Sequence, residues 1–429
     1  MSDTNRSERT GAVREDPGRP AFVLALCLAL SLRTVALVAG GSAGADYHLR
    51  WQFLLSDVML GAVALAHLPQ VPSLWREPSK HRGALAAVVL AVSLIPSWLA
   101  HPSARGNAAV LRWLGVALLA LGVSRLAGAG RLLVIGSFAA VVASQVVVAL
   151  GQWAAGGPLG IASLGEARPY EIGGRYASSG LTVHPYVLAA WCVVGGSILL
   201  AAVARSERNP TLSLAAAFPF VGVGLTIGRS GALATVLVLV TMTLAALRRP
   251  RLRPAVAAAI LATALGVGLN FSGWVSRGTE TTPGSEEAST GRVALLRQAG
   301  EIFRDSPVFG VGPGRYVETL TDRPEVMALA TELRPVHLAP YLVVVEGGLV
   351  VLPALVLLGW AVVTQARRSG PTGVAVALSM VPFLAFDHLN WSYPEGLLLT
   401  GLWLGTLDHL AVREPSDISP PPEAPVSGR

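Results

Sequence analysis

About twelve apolar stretches, each close to the ~20 residues needed to cross a ~30 Å hydrocarbon core, limit what this chain can fold into. They lie near Ala21–Ala39, Trp51–Leu68, Gly83–Ala100, Ala108–Val123, Leu132–Trp153, Thr182–Val203, Leu212–Ile227, Gly231–Leu247, Ala255–Phe271, Leu338–Val363, Thr372–Leu389 and Gly396–Val412. Runs this long and continuous read as helices, whose backbone polar groups are all satisfied inside the segment. The expected fold class is therefore all-α, a polytopic integral membrane protein of about 12 transmembrane helices. Composition agrees: 14% of the residues are charged, against roughly 25% in a soluble domain. The net charge of +7 invites a nucleic-acid partner. None is expected, because the arginines sit singly or in pairs between apolar runs instead of forming one basic face. The lipid bilayer is the first partner. Cys27 and Cys192 both lie in apolar runs and read as small core hydrophobes.

In order, residues 1–20 form a polar tail, 21–271 hold helices 1–9, and 272–337 form a large extracytoplasmic loop. Residues 338–412 hold helices 10–12, and 413–429 form a Pro-rich tail. Both tails have the composition of disordered segments. Ala21–Ala39 is longer than the ~7–15 residues of a signal-peptide core and follows a tail of mixed charge, so it reads as the first span. The seventh and eighth spans nearly fuse through Thr226-Ile227-Gly228-Arg229-Ser230.

Orientation follows from Arg and Lys in the short loops. With the N-terminus inside, the inner segments hold Arg6, Arg9, Arg14, Arg19, Arg76, Lys80, Arg82, Arg125 and Arg131. Further along they hold Arg205, Arg208, Arg248, Arg249, Arg251, Arg253, Arg367, Arg368, Arg413 and Arg429. The short outer loops hold Arg50, Arg105, Arg168, Arg175 and Arg229. Both termini are expected in the cytoplasm, in a multi-pass protein of the cytoplasmic membrane. The loop between helices 9 and 10 then lies outside. It is expected to be partly helical: Leu295, Ala299, Ile302 and Phe303 share one face of a helix from Arg292 to Asp305, and a shorter helix runs from Glu325 to Glu332.

Candidate chemistry gathers at the outer ends of the spans. Arg229 is the most pointed of four outer arginines, with Arg175, Arg292 and Arg315, because it sits between two short apolar spans where a charge near hydrocarbon is costly. A planar guanidinium suits bidentate binding of phosphate oxygens, so several arginines together form a diphosphate site. Against each one stands the plain reading of an arginine snorkelling to headgroups. His337, at the start of a span and followed by Glu346, is a candidate base for an acceptor hydroxyl. His184 and the pair Asp387-His388 also stand at outer ends, as positioning or substrate-binding groups. Gly310-Val-Gly-Pro-Gly314 has no preceding strand and no lysine in phosphate-loop spacing, so it reads as a run of turns. No metal motif is present, and no cofactor is expected.

These segments together resemble the O-antigen ligase and polymerase family of bacterial membrane glycosyltransferases. Gly174-Arg175 through His184-Pro185 resembles the family's arginine segment, and Gly228-Arg229-Ser230-Gly231-Ala232 its Ser-Arg-Gly-Ala element. Arg292 through Gly310-Val-Gly-Pro-Gly-Arg-Tyr316 is similar to its large-loop signature. His337, with Glu346 and Gly348, resembles its His-Asn helix start, although Leu338 stands where Asn is usual and Pro340 breaks the usual aromatic–apolar run. The resemblance implies an inverting, metal-independent transfer of an undecaprenyl-diphosphate-linked oligosaccharide to a glycan, lipid or protein acceptor. It implies His337, Arg292 and Arg229 as catalytic residues, and Arg175, Arg315, His184, Glu346 and Asp387 as substrate-binding ones. The alternative is a multi-span transporter or lipid-linked glycan flippase. Its commonest class has a long cytoplasmic loop after the sixth span, where this chain has only Ala204–Thr211. A non-catalytic membrane scaffold is the third reading.

Overall fold

A computed structural model describes residues 21, 23–25, 36–40, 51–167, 169–172, 174–206, 209–279, 283–329 and 333–412, with side chains for all but 36–40, 51–54, 279 and 283–290. Both expected tails, most of Ala21–Ala39, Arg50, Arg168 and the end of the expected Glu325–Glu332 helix lie outside these residues. The described chain is almost entirely helical. Strand β1 (Ala36–Gly40) pairs antiparallel with β2 (Trp51–Leu54), which runs into α1 (Leu55–His67). The expected second span, Trp51–Leu68, is thus a strand followed by a helix of 13 residues. That helix is too short to cross a ~30 Å core alone.

Among the described residues, seven helices are long and apolar enough to cross a membrane. They are α2 (Arg82–Ala100), α3 (Ala104–Ser124), α4 (Gly128–Ala155), α5 (Pro185–Arg205), α7 (Arg229–Arg248), α8 (Pro250–Leu269) and α14 (Leu349–Arg368). Two shorter apolar helices, α6 (Pro210–Leu225) and α15 (Gly370–Phe386), lie where the seventh and eleventh spans were expected. Proline interrupts α6: the ladder stops at Ala217 and restarts at Pro219, which has no N–H to give. The expected tenth span, Leu338–Val363, is also broken. Its first part is α13 (Ala339–Gly347), which ends at Gly348 in the left-handed region at φ +74°. The last helix is α17 (Pro394–Ala411), preceded by the short α16 (Leu389–Ser392). Between α8 and α13 the loop carries α9 (Phe271–Thr279), α10 (Pro283–Asp305), α11 (Tyr316–Thr321) and α12 (Pro324–Met327). The second loop helix is therefore shorter than the sequence suggested.

α5 is the axis of the bundle. Of its central window 94% is buried, against 28% to 56% for the other six spans, and α4, α6, α7, α15 and α17 all pack against it. Its composition matches: a helix apolar on every side can bury every side. Small residues set the closest approach elsewhere. A Cβ on Gly224 of α6 would stand 2.1 Å from the backbone of Gly266 in α8, so only glycine at both positions lets these helices touch. A bidentate ion pair, Arg112 Nε and Nη2 to Asp57 at 2.6 and 2.7 Å, ties α3 to α1. Because successive helices alternate in direction, one end of the bundle collects the start of α5, the α6–α7 joint, the end of α8, the loop helices, the start of α13 and the α15–α17 connection.

Candidate functional site

The chain enters this end through irregular backbone that two glutamines make tolerable. After α4 ends on Gly156 at φ +65°, the segment to His184 has no long element of its own. Gln152 Oε1 accepts from the N–H groups of Ser179 and Gly180 at 3.1 and 2.9 Å, and Gln145 Oε1 from Leu181 N–H at 2.7 Å. Unpaired backbone at this depth would cost several kcal/mol per group, so buried amide side chains on α4 replace the missing ladder. Glu166 fixes the first half of the segment, accepting from Gln152 Nε2 (2.9 Å) and from the N–H groups of Leu159 (2.6 Å) and Ile161 (2.9 Å). Burial alone would raise its pKa, but these hydrogen bonds outweigh burial and hold the carboxyl below its ordinary range.

His184 then caps α5. Its Nδ1 accepts from Tyr186 N–H at 3.1 Å, which leaves the proton of the neutral ring on Nε2. The ring lies between Tyr170 (centroids 4.4 Å) and Tyr186 (4.6 Å). Burial first, then the Arg334 guanidinium and the neighbouring His337, lower its pKa to about 4. It is neutral at physiological pH, and those two causes place Arg334 and His337 in its immediate field.

On the other side of Tyr186 stands the α6–α7 joint. Ile227 is buried with φ +51°, the only non-glycine at positive φ among the described residues. A β-branched residue there is a true outlier costing about 1–2 kcal/mol, a strain found most often at functional sites. Ile172, Ala177, Tyr170 and Trp274 pack around Ile227 and hold it. The turn it makes starts α7 at Arg229 with the guanidinium exposed at the bundle end, where Nη2 donates to the carbonyl of Arg277 at 2.7 Å. Arg277 Nη2 in turn donates to Tyr186 Oη at 3.3 Å. Arg229, Arg277, Tyr186 and His184 thus form one connected row.

A second group surrounds His337. Its ring lies 5.2 Å from that of His388, which stacks on Tyr393 at 5.6 Å. One ligand-type atom from each of His337, Asp387 and His388 lies within 4.8 Å of the others. The backbone sets this meeting: Asp387 O accepts from Ala339 N–H at 3.1 Å, and Asp387 Oδ1 from His388 N–H at 2.6 Å. Arg292, exposed on α10, has its guanidinium 6.0 Å from the Phe386 ring centroid, and its charge acts on the Asp387 carboxyl. Two imidazoles and a carboxylate at this spacing suit proton transfer, and they are also a donor set for a transition metal. Sequence spacing showed no metal cluster, because the three residues come from two separate segments and meet only in the fold.

Glu346 has a different place from the one expected. It is 3% exposed and faces the glycine turn, accepting from Gly314 N–H (2.7 Å), Tyr316 N–H (3.2 Å) and Trp391 Nε1 (2.5 Å). The turn presses on the helix below: a Cβ on Gly310 would meet Glu346 O at 2.4 Å, and one on Gly348 would meet Val308 O at 2.1 Å. Glu346 therefore fixes the turn that carries Arg315 by accepting hydrogen bonds on both sides of that residue. Arg315 pairs with Glu318 (Nε to Oε2 3.5 Å) and stands apart from both groups. Arg175 is exposed in the second strand of the hairpin Glu171–Ile172/Arg175–Tyr176, which packs beside α9.

Of the expected residues, the fold brings His184, Arg229, Arg292, His337 and Asp387 to one bundle end in two adjoining groups. Sequence reasoning missed Arg277, Arg334 and Tyr186. Arg277 and Arg334 lie inside the long loop already singled out, but nothing in their spacing separates them from its other arginines.

Residues 214–352 match the family model described as O-antigen ligase, and no curated protein matches the chain. The matched region runs from the middle of α6 to the start of α14. It contains Arg229, Arg277, Arg292, Arg334 and His337, while His184, Asp387 and His388 reach the same bundle end from outside it. The match spans about a third of the chain, and over that third, which carries the strained Arg229 joint, the loop and the His337 helix start, the chain is similar to the O-antigen ligase family.

Proposed function

We propose that this protein is an inverting membrane glycosyltransferase that moves or polymerises an undecaprenyl-diphosphate-linked glycan at the outer face of the cytoplasmic membrane. The observation that carries this reading is the meeting of an arginine row with a His–Asp–His group around His184. In the proposed reaction, Arg229, Arg277 and Arg292, with Arg175 at the edge, bind the donor diphosphate. They neutralise the charge that grows as the bond from the anomeric carbon to the phosphate oxygen breaks. His337 takes the proton of an acceptor hydroxyl as that oxygen bonds to the anomeric carbon from the opposite face, which inverts the centre. Asp387, within 4.8 Å, offsets the imidazolium charge that results. His184, held neutral, lines the path between the two groups. No divalent cation is required, because guanidinium groups supply the positive charge.

Reconstitution of wild type and His337→Ala with a labelled lipid-diphosphate oligosaccharide tests this. Glycan lengthened on the prenyl carrier identifies a polymerase; glycan moved to a separate lipid or protein identifies a ligase. Transfer by wild type and its loss in His337→Ala are expected. Intact donor translocated by both proteins without transfer would return the molecule to the transporter class.

A further inference from the structure

The strained turn at Ile227 is held from outside its own segment, by the corner where α8 gives way to α9. α6 ends at Leu225, so the carbonyls of Gly224 and Leu225 have no helical N–H ahead of them. Two side chains of the corner supply the missing donors. Trp274 Nε1 donates to Gly224 O at 2.8 Å, and Asn270 Nδ2 to Leu225 O at 3.3 Å. Leu225 O also accepts from Ser178 N–H at 3.2 Å. Gly273 lies against the turn itself: a Cβ there would stand 2.6 Å from Ile227 Cδ1. Arg277 gives its carbonyl to Arg229 Nη2 and its own Nη2 to Tyr186 Oη. Tyr186 closes the ring from the far side, with Cδ1 3.3 Å from where a Cβ on Gly228 would lie. Asn270, Trp274 and Arg277 are spaced i, i+4 and i+7, which puts all three on one face of the helix that begins there. That face touches the joint before, beside and beyond its strained residue.

We propose that Trp274 and Asn270 are positioning residues for Arg229: they hold the end of α6 so that Ile227 keeps its positive φ and the guanidinium stays where the donor meets it. The inference rests on the reading of Arg229 as a diphosphate partner. An isoleucine at positive φ persists only where its surroundings leave no easier conformation. Apolar packing around Ile227 does not achieve this alone, because it is non-directional and tolerates a rotated backbone. Hydrogen bonds to two consecutive carbonyls do, since they fix the direction of both peptide planes that lead into the turn. The donors lie 45 and 50 residues further along the chain. The joint therefore takes its final shape only once α8 has packed on α6 through Gly224 and Gly266. Neither residue touches substrate in this scheme; both act through Arg229.

The test uses the full-length protein reconstituted in lipid with a labelled lipid-diphosphate oligosaccharide. Trp274→Phe keeps a ring beside Ile227 and removes the indole N–H. It should lower kcat for transfer roughly 10- to 100-fold, the cost of a small misplacement, with KM for the donor changed less than about threefold. Asn270→Ala is milder, because Leu225 O keeps the Ser178 N–H, and it carries the same test if Trp274→Phe does not fold. Its kcat should fall roughly threefold, the worth of one long hydrogen bond. In an Arg229→Ala background Trp274→Phe should cost nothing further, since residues that act through one group are not additive. Amide hydrogen exchange across residues 224–230 reads the turn without any transfer. It should speed up in both variants at an unchanged circular-dichroism helix content. Wild-type kcat in Trp274→Phe, an equal loss with and without Arg229, or unchanged exchange would overturn the proposal. Normal transfer by Arg229→Ala would instead overturn the diphosphate reading, and the exchange rates would still decide whether the corner holds the turn.

Discussion

Single residues at the bundle end carry distinct and separable loads. Arg229 owes its exposed position to the strained turn at Ile227, and its guanidinium has one hydrogen bond fixed on the Arg277 carbonyl. Arg229→Ala is expected to reduce glycan transfer at least ~10²-fold while the protein accumulates normally, as loss of a transition-state charge partner does. The check is turnover of labelled donor at equal protein level. His184 gives a pH signature. Its folded pKa of about 4 lies below the ordinary 6.5, so the unfolded chain binds the proton more readily. Its contribution is complete above pH 6.5 and is lost as pH falls towards 4. His184→Asn keeps a capping acceptor for Tyr186 N–H but cannot titrate. Thermal midpoints at pH 7.5 and pH 5 should fall less in that variant than in wild type. For the His337–Asp387–His388 group, transfer should survive dialysis against EDTA. Loss that only a transition metal restores would convert the group from a proton relay to a metal centre.

Among the elements, the glycine turn and α13 behave as one unit. Four glycines, at 310, 312, 314 and 348, sit at positive φ, and Gly310 and Gly348 lie against backbone of the opposite segment. Gly348→Ala would combine a left-handed φ with a 2.1 Å contact to the Val308 carbonyl. A loss of more than about 1 kcal/mol is expected, since the native conformation is incompatible with a Cβ. Glu346→Gln should retain part of the turn, because one oxygen still accepts; Glu346→Ala would leave three donors unmatched at about 1–3 kcal/mol each. Unfolding midpoints in detergent rank the three variants. The same unit governs how Arg315 and the start of α13 are presented, so Glu346 variants should lower turnover in parallel with stability. A group that touched substrate directly would lose turnover without losing stability.

At the scale of the molecule, the direction of the helices fixes which residues share an end, and we propose from the distribution of positive charge that this end faces outward. Single cysteines at Ser306 and Ser206, in a background lacking Cys27 and Cys192, check this directly. A membrane-impermeant thiol reagent on intact spheroplasts should label Ser306→Cys and leave Ser206→Cys unlabelled until the membrane is opened. The reverse pattern would place the candidate site in the cytoplasm, away from any outer-face donor. The Arg112–Asp57 pair is also a property of the whole, joining α1 to the bundle. Arg112→Ala should lower the thermal midpoint in detergent, because it removes both hydrogen bonds that join α3 to the Asp57 carboxylate of α1.

Hydropathy alone determined the class of this protein, since nothing but helices satisfies so much backbone in so apolar a chain. Local residue order also marked the outer arginines, His184 and His337, because charge at the edge of an apolar run is legible one position at a time. Helix breaks were less legible. Mean hydropathy is indifferent to the prolines and glycines that split Leu212–Ile227 at Pro219 and Leu338–Val363 at Gly348. Contacts between distant segments were not legible at all. Glu346 reads in sequence like a polar group waiting for a ligand, and only the fold turns it inward onto Gly314, Tyr316 and Trp391. Asp387 and His388 become partners of His337 only because α13 and the end of α15 share a hydrogen bond. The sequence therefore determined the kind of molecule and which residues stand at the edges of its apolar runs. Tertiary packing decided which edge residues meet, because that depends on the crossing of helices far apart in the chain.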